Sequence, residues 1–230
     1  MPAMDSQGLL VPKLISFDVF GTLIDVRASS YAAFESILAD AGGRDIDVKA
    51  FWEHWEERNI AHYWERWRPY KEICALSLAE TFAHYGLAGD PSLINRYFEA
   101  FTQFRLFPDV TPTLDTLARR YRLGLVSNID DDLLAATPLA RTFDVVATAG
   151  RAKGYKPNGD LFRYLLAHAG CEKHEILHAG QSQFTDMVGG KPLGLTIAWI
   201  NRRGIALHPS VPRPDYTFPD VASLLPLVST

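Results

Sequence analysis

Apolar positions along this chain fall into three successive rhythms. The first is one short run, "KLISFD", that between Lys13 and its closing Asp18 is apolar except for Ser16, before a Phe-Gly-Thr turn. A run this short and this apolar, bounded by a glycine, predicts a strand buried on both faces. From about 27 to 107 the spacing is helical only. "YAAFESILADAGG" sets Tyr31, Phe34, Ile37 and Leu38 on one face and stops at a glycine pair. "VKAFWEHWEERNIAHYWERW" scatters Phe51, Trp52, Trp55, Tyr63, Trp64 and Trp67 among charges. "EICALSLAETFAHYG" and "PSLINRYFEAFTQF" are two further amphipathic runs, the latter with Pro91 suited to a first helical turn. From about 108 helix and strand alternate. A helix at 112–121 leads to "RLGLVSN", a helix from Asp131 to "FDVVATA", and a helix at 158–169 to "EILHAG". A helix after Thr185 then leads to "LTIAWI", and the short strand "DYTF" precedes a C-terminal helix.

Such alternation predicts an α/β fold: a doubly wound, Rossmann-like, mostly parallel sheet with right-handed crossovers. The helical block must then be an insertion directly after the first strand. The division is a core domain of 1–26 and 108–230 and an inserted α-helical cap domain of 27–107. The cap would sit over the carboxyl ends of the strands, where open α/β sheets bind ligands.

Composition adds mainly exclusions. The 230 residues are 47% hydrophobic and 22% charged, ordinary for a globular protein. A net charge of -4 and a pI near 6.0 give no reason to expect nucleic acid or an anionic membrane as partner. No 18-residue apolar run or leader pattern is present, and residues 1 to about 10 read as a loose tail. Cys74 and Cys171 lie far apart without metal-like spacing, which suits a reducing, cytoplasmic setting. The histidines, His54 and His62 among them, show no metal-ligand spacing. The aromatic surface of the helical block leaves a homodimer open, although helical aromatics are more often internal.

Polar residues recur where strands end. Asp18 closes the first strand, Ser127 and Asn128 the second, Lys156 follows "FDVVATA" in "GYKPNGD", and Gln181 to Asp186 follow "EILHAG". Each has an ordinary explanation alone, as a turn residue, an N-cap or a solvated lysine. Together they converge, because a parallel sheet delivers all of these strand ends to one edge.

"FDVFGTL", "VSN", "YKP" and the loop ending at Asp186 resemble the four ordered motifs of the haloacid dehalogenase-like hydrolase superfamily, over roughly 12–228. The resemblance implies an aspartate nucleophile, Asp18, and a covalent ester or acyl-phosphate intermediate. Most members are magnesium-dependent phosphatases, and a smaller branch, the L-2-haloacid dehalogenases, displaces halide from carbon. Phe20 separates the two. Phosphatases of this type place a second Asp there to protonate a departing alkoxide, and phenylalanine has no proton to give. Halide leaves as a stable anion and needs none. The fourth motif opens Gly180-Gln181 where phosphatases usually have Gly-Asp, leaving Asp186 as the acid of that loop. No metal or other cofactor is therefore expected.

The expected reaction is hydrolytic dehalogenation of short-chain (S)-2-haloacids to (R)-2-hydroxyacids, with a small 2-halocarboxylate as the partner. By resemblance, Thr22 positions Asp18, Lys156 keeps it ionised, and Asp186 orients or activates water. Ser127, Asn128, Gln183 and the backbone amides near Val19 and Phe20 would take the substrate carboxylate, with Phe20 also an apolar wall. Several positions depart from the dehalogenase pattern, Phe20 among them, where that family often has a tyrosine. Phe162 stands where a substrate-contacting tyrosine is usual, Gln181 and Gln183 where Ser and Asn are, and no arginine aligns cleanly with the one that assists halide departure. Glu53 and His54 lie nearest that position, and Arg58 is the candidate. A magnesium phosphatase with an atypical first motif, another carbon-centred hydrolase and an inactive binding scaffold stay open.

Overall fold

In chain order, β1 (Leu14–Phe17) and β2 (Ile24–Asp25) are followed by α1 (Arg27–Asp40), α2 (Val48–His62), α3 (Tyr70–His84) and α4 (Asn95–Glu99). β3 (Arg105–Leu106), α5 (Val110–Leu117), β4 (Arg122–Ser127), α6 (Asp131–Ala135), β5 (Val145–Thr148) and α7 (Ala149–Ala152) come next. The chain ends through α8 (Asp160–His168), β6 (Ile176–Gly180), α9 (Val188–Gly190), β7 (Thr196–Ile200) and β8 (Tyr216–Phe218). The structure is a computed structural model that describes residues 4, 6 and 8–228.

Six strands form one sheet in the order β5-β4-β1-β6-β7-β8, and all five pairings are parallel. The chain winds outward from β1 to β4 and β5, then returns across β1 to β6, β7 and β8. The carboxyl end of β1 is thus the switch point, where flanking crossovers diverge and leave a crevice. Alternation along β1 sends Ile15 and Phe17 into the larger apolar cluster, with Val110, Leu114 and Leu117 of α5. Leu14 faces the other way, toward Leu161, Phe162 and Leu165 of α8. Ser16 and Asp18 share that second face.

The helices between β2 and β3 have an aromatic centre. Phe34 is fully buried, its ring 4.9 Å from Trp55, 5.6 Å from Tyr97 and 6.1 Å from Phe51. Burying such a ring stabilises by roughly 1.5–3 kcal/mol. α2 starts where the Asp47 carboxylate accepts from Ala50 N at 2.7 Å. α3 follows Pro69, and its exposed amides are met from the sheet side. Asp130, after β4, accepts from both Tyr70 N and Lys71 N at 3.0 Å. Tyr155 OH donates to Arg68 O at 2.8 Å and Trp67 Nε1 to Ala149 O at 3.1 Å, so the segment before α3 is tied to the strand ends as well.

Several expectations change. The stretch 27–107 is not helical to its end, because β3 pairs antiparallel with β2 through Ile24↔Leu106 and Asp25↔Arg105. The run "PSLINRYFEAFTQF" breaks into α4 flanked by tighter turns at Pro91–Ile94 and Ala100–Gln103. The residues after Thr185 belong to a widened turn, Gln183–Met187, that runs into the short α9. Only a single turn, Ala222–Leu224, stands where a C-terminal helix was expected. Of the expected loose tail, Leu10 is 2% exposed and bridges Val228. No helix among the described residues is long and apolar enough to cross a membrane.

Candidate active site

Asp18 follows the last residue of β1 and its amide still donates to Ala179 O of β6 at 2.9 Å. The chain then doubles back: Leu23 N and Ile24 N both donate to Val19 O, at 2.8 and 3.0 Å. Gly21 makes this possible with φ +79°, a region side chains avoid. The tight return brings Thr22 Oγ1 to 2.6 Å from Asp18 Oδ2, where it donates. Thr22 Oγ1 in turn accepts from Gln181 N at 2.9 Å, which pins the fourth-motif loop to the first.

Lys156 is 2% exposed, and its ammonium lies between two carboxylates. It donates to Asp18 Oδ1 and lies 2.9 Å from Asp186 Oδ1. Its backbone amide donates to Asn128 Oδ1 at 2.9 Å, so the end of β4 sets the position of the lysine. Asp186 is wholly buried and accepts from Ser182 N at 3.0 Å through Oδ2. His178 Nε2 lies 3.3 Å from its Oδ1. Gly180 provides the clearance, since a Cβ there would stand 2.4 Å from Asp186 Cγ.

Burial and the neighbouring Asp186 push the Asp18 carboxyl above its ordinary range, against the pull of Lys156. Burial works the same way on Asp186, but Lys156 and the His178 hydrogen bond hold it down to about 2. Burial would lower the Lys156 ammonium; the two carboxylates outweigh it and raise it. The centre is thus a permanent cation shared by an ionised Asp186 and a more basic Asp18.

Asp18 and Lys156 open onto a cavity of about 620 Å³, with Asp186 buried behind them. Asp18, Phe20, Ser127, Asn128 and Lys156 line its sheet side, and Trp52, Trp55, Tyr63, Tyr70 and Tyr97 its helical side. Ser127 Oγ is buried and has no protein partner. Phe20 packs edge-on against Phe101 and Phe104, with centroids 5.5 and 6.2 Å apart. Glu56 on α2 is open to the cavity yet walled by protein behind, and that burial pushes its carboxyl up to about 7 against Arg203 and Arg27. No cluster of three or more His, Cys, Asp or Glu side chains among the described residues is placed to hold a metal ion.

Asp18, Thr22, Lys156, Asp186, Phe20, Ser127 and Asn128 therefore come together as expected. Three other residues do not. Arg58 points away from the cavity, with Nε 2.5 Å from Glu80 Oε2 on α3, because its helical position faces outward over that neighbour. Gln183 is spent on a loop: Oε1 accepts from His208 N at 2.6 Å and Nε2 donates to Ala206 O at 3.3 Å. Phe162 is core, edge-on to His178 at 4.9 Å. Val19 is fully buried and outside the cavity lining, its carbonyl accepting from Leu23 N and Ile24 N within the turn. Sequence reasoning missed His178 and Ser16, although a histidine inside the buried strand "EILHAG" was a legible signal. It also missed Arg202, which reaches the cavity while bound to Asp109 through two 3.0 Å contacts.

Residues 12–194 match the family model for haloacid dehalogenase-like hydrolases. Haloacetate dehalogenase H-2 of Moraxella sp. (strain B) is 26% identical over 225 residues, covering 94% of this chain and 97% of that protein. (S)-2-haloacid dehalogenase of Pseudomonas sp. (strain YL) is 24% identical over 228 residues, 95% of each chain. L-2-haloacid dehalogenase from Xanthobacter autotrophicus, solved with chloropropionic acid covalently bound, superposes with a TM-score of 0.76 at 22% identity, over 93% of this chain and 96% of that one. With the family model spanning most of its length, this chain belongs to the haloacid dehalogenase-like hydrolases.

Proposed function

We propose that this chain is a metal-independent dehalogenase that hydrolyses short-chain (S)-2-haloacids to (R)-2-hydroxyacids through an ester on Asp18. The observation that carries the reading is Phe20. A proton donor for a departing alkoxide is needed two residues after the nucleophile in a phosphatase of this superfamily. Here that place holds a phenyl ring packed on two others. The donor set also suits magnesium poorly: the ion takes several oxygen ligands, and the fourth-motif loop offers Gln181 where phosphatases usually place an Asp, leaving Asp186 as its acid.

In the first half-reaction Asp18 attacks C2 from the side opposite the halogen. The new C–O bond forms as the carbon–halogen bond breaks, the electron pair leaves on the halide, and the carbon inverts. Ser127 Oγ, Asn128 and the amides near Val19 and Phe20 would hold the substrate carboxylate. In the second half-reaction water adds at Cγ of Asp18, giving up a proton with the help of Asp186, and the hydroxyacid departs protonated. Halide, hydroxyacid and one proton are the net products. The helical segment 27–107 would act as a cap that encloses the reaction, with 1–26 and 108–230 as the core. The dehalogenases among the relatives, and a structural neighbour holding chloropropionic acid covalently, support this reading.

One observation favours a second reading. Arg58 is turned to Glu80, so α2 brings no arginine to the departing group, and a different carbon-bound leaving group is the alternative. Halide release from 2-haloacetates and (S)-2-chloropropionate in EDTA, beside phosphate release in magnesium, separates these. Halide release unaffected by EDTA is expected; release abolished by EDTA, or phosphate release alone, overturns the proposal. A single turnover in oxygen-18 water should place label in Asp18 before product.

A further inference from the structure

β1 and β6 carry a polar line through an otherwise apolar layer. Ser16 and His178 are register partners in the parallel ladder, and both are wholly buried. Strand alternation aims them, with Asp18 and Gly180, at the α8 face of the sheet. Ser16 Oγ lies 2.9 Å from His178 Nδ1, and His178 Nε2 lies 3.3 Å from Asp186 Oδ1. Phe162 stands edge-on to the imidazole at 84°, which fixes its plane. Burying a hydroxyl and an imidazole costs free energy that an apolar pair of the same volume would avoid. Nothing in the packing of two adjacent strands calls for them.

We infer that His178 is a positioning residue for Asp186, its Nε2–H holding the carboxylate turned toward the ester on Asp18 while the Ser16 hydroxyl fixes that tautomer by donating to Nδ1. The inference rests on the ester-forming reading above. An ionised Asp186 accepts and cannot donate, so the hydrogen belongs on Nε2. Nδ1 is then a lone pair, and Ser16 is its donor. Lys156 cannot do this work throughout turnover. It is shared between Asp18 and Asp186, and esterification removes the charge of Asp18, changing the pull on the ammonium. His178 and Ser182 N are the donors that hold Asp186 irrespective of that change. The first half-reaction makes no demand on Asp186 as a base, while the second does. His178 therefore matters to ester breakdown and not to ester formation.

Two substitutions isolate the Nε2 position. A glutamine amide nitrogen reaches about where Nε2 sits, and an asparagine amide reaches only Nδ1. In rapid-quench single turnovers, His178→Asn should release halide within about twofold of the native rate and break the ester down at least tenfold more slowly, roughly the scale of a small misplacement. The ester would accumulate as a mass adduct on the Asp18 peptide. His178→Gln should recover most of the lost breakdown rate, and Ser16→Ala should show a smaller defect of the same kind. Equal losses in both half-reactions, or His178→Gln as slow as His178→Asn, overturn the inference. Infrared titration supplies a readout without substrate: the Asp186 carboxyl band should emerge at higher pH in His178→Asn and at the native pH in His178→Gln. Unchanged titration in both overturns it. Absence of any aspartyl ester in the native protein, with Asp186 titrating as expected, sinks the dehalogenase reading and leaves the carboxylate–imidazole contact standing.

Discussion

Asp18 and Asp186 contact the same ammonium nitrogen, yet burial and partners drive them apart. Asp186 has three donors and stays ionised. Asp18 has two, Thr22 and Lys156, and burial dominates, so it is the more basic carboxylate. A nucleophile that is less stabilised as an anion is the better nucleophile, and it must still be ionised to react. The acid limb of kcat/KM should therefore lie above about 4, the ordinary aspartate value, with activity lost as pH falls through it. Lys156→Met removes the cation, so Asp18 moves further up and the limb moves with it. Turnover at neutral pH should fall by roughly 10²-fold or more, since an uncompensated buried carboxylate protonates. A native acid limb at or below that ordinary value would show that burial does not decide the state of Asp18.

At the level of elements, polar contacts tie the helical segment to the strand ends, and Asp130 makes two of them to the start of α3. Asp130→Ala leaves those amides unmet and should cost about 1 kcal/mol, or a Tm drop of about 2–4 °C for a chain of this length. Because Tyr70 lines the cavity from that first turn, KM for a small acid should rise while kcat changes less. Tm falling with no change in KM would mean that α3 keeps its place without the cap. The sheet itself was legible because buried strands and amphipathic helices alternate with clear periods, and polar strand ends mark the reactive edge. β2 and β3 were not, because two residues carry no period. Neither was the outward turn of Arg58: spacing places an arginine on a helix, and only packing against α3 decides which way that face looks. Gln183 failed for a related reason, since its partners, 206 and 208, belong to a loop with no regular pattern.

For the molecule as a whole, the switch point that concentrates chemistry also concentrates charge. Two buried carboxylates share one buried ammonium, so one negative charge lacks a full counterion. The two carboxyls shift in opposite directions, and their effects on folding differ in sign. Asp186, down from 3.8 to about 2, contributes stability that is present above about 4 and lost as pH falls toward 2; the linkage amounts to about 2 kcal/mol. Asp18 is raised, so its ionised form at neutral pH opposes folding. Asp18→Asn should then raise Tm by a few degrees while abolishing turnover, because it leaves Lys156 and Asp186 as a neutral pair. Asp186→Asn should lower Tm, because it leaves Lys156 with the less stabilised partner and strips His178 and Ser182 of a charged acceptor. Thermal unfolding of the two variants at pH 7 checks the signs. The same direction in both would mean that the charge of the site is shared evenly between the carboxylates, and a stability gain confined to Asp18→Asn marks the nucleophile as the residue held against the preference of the fold.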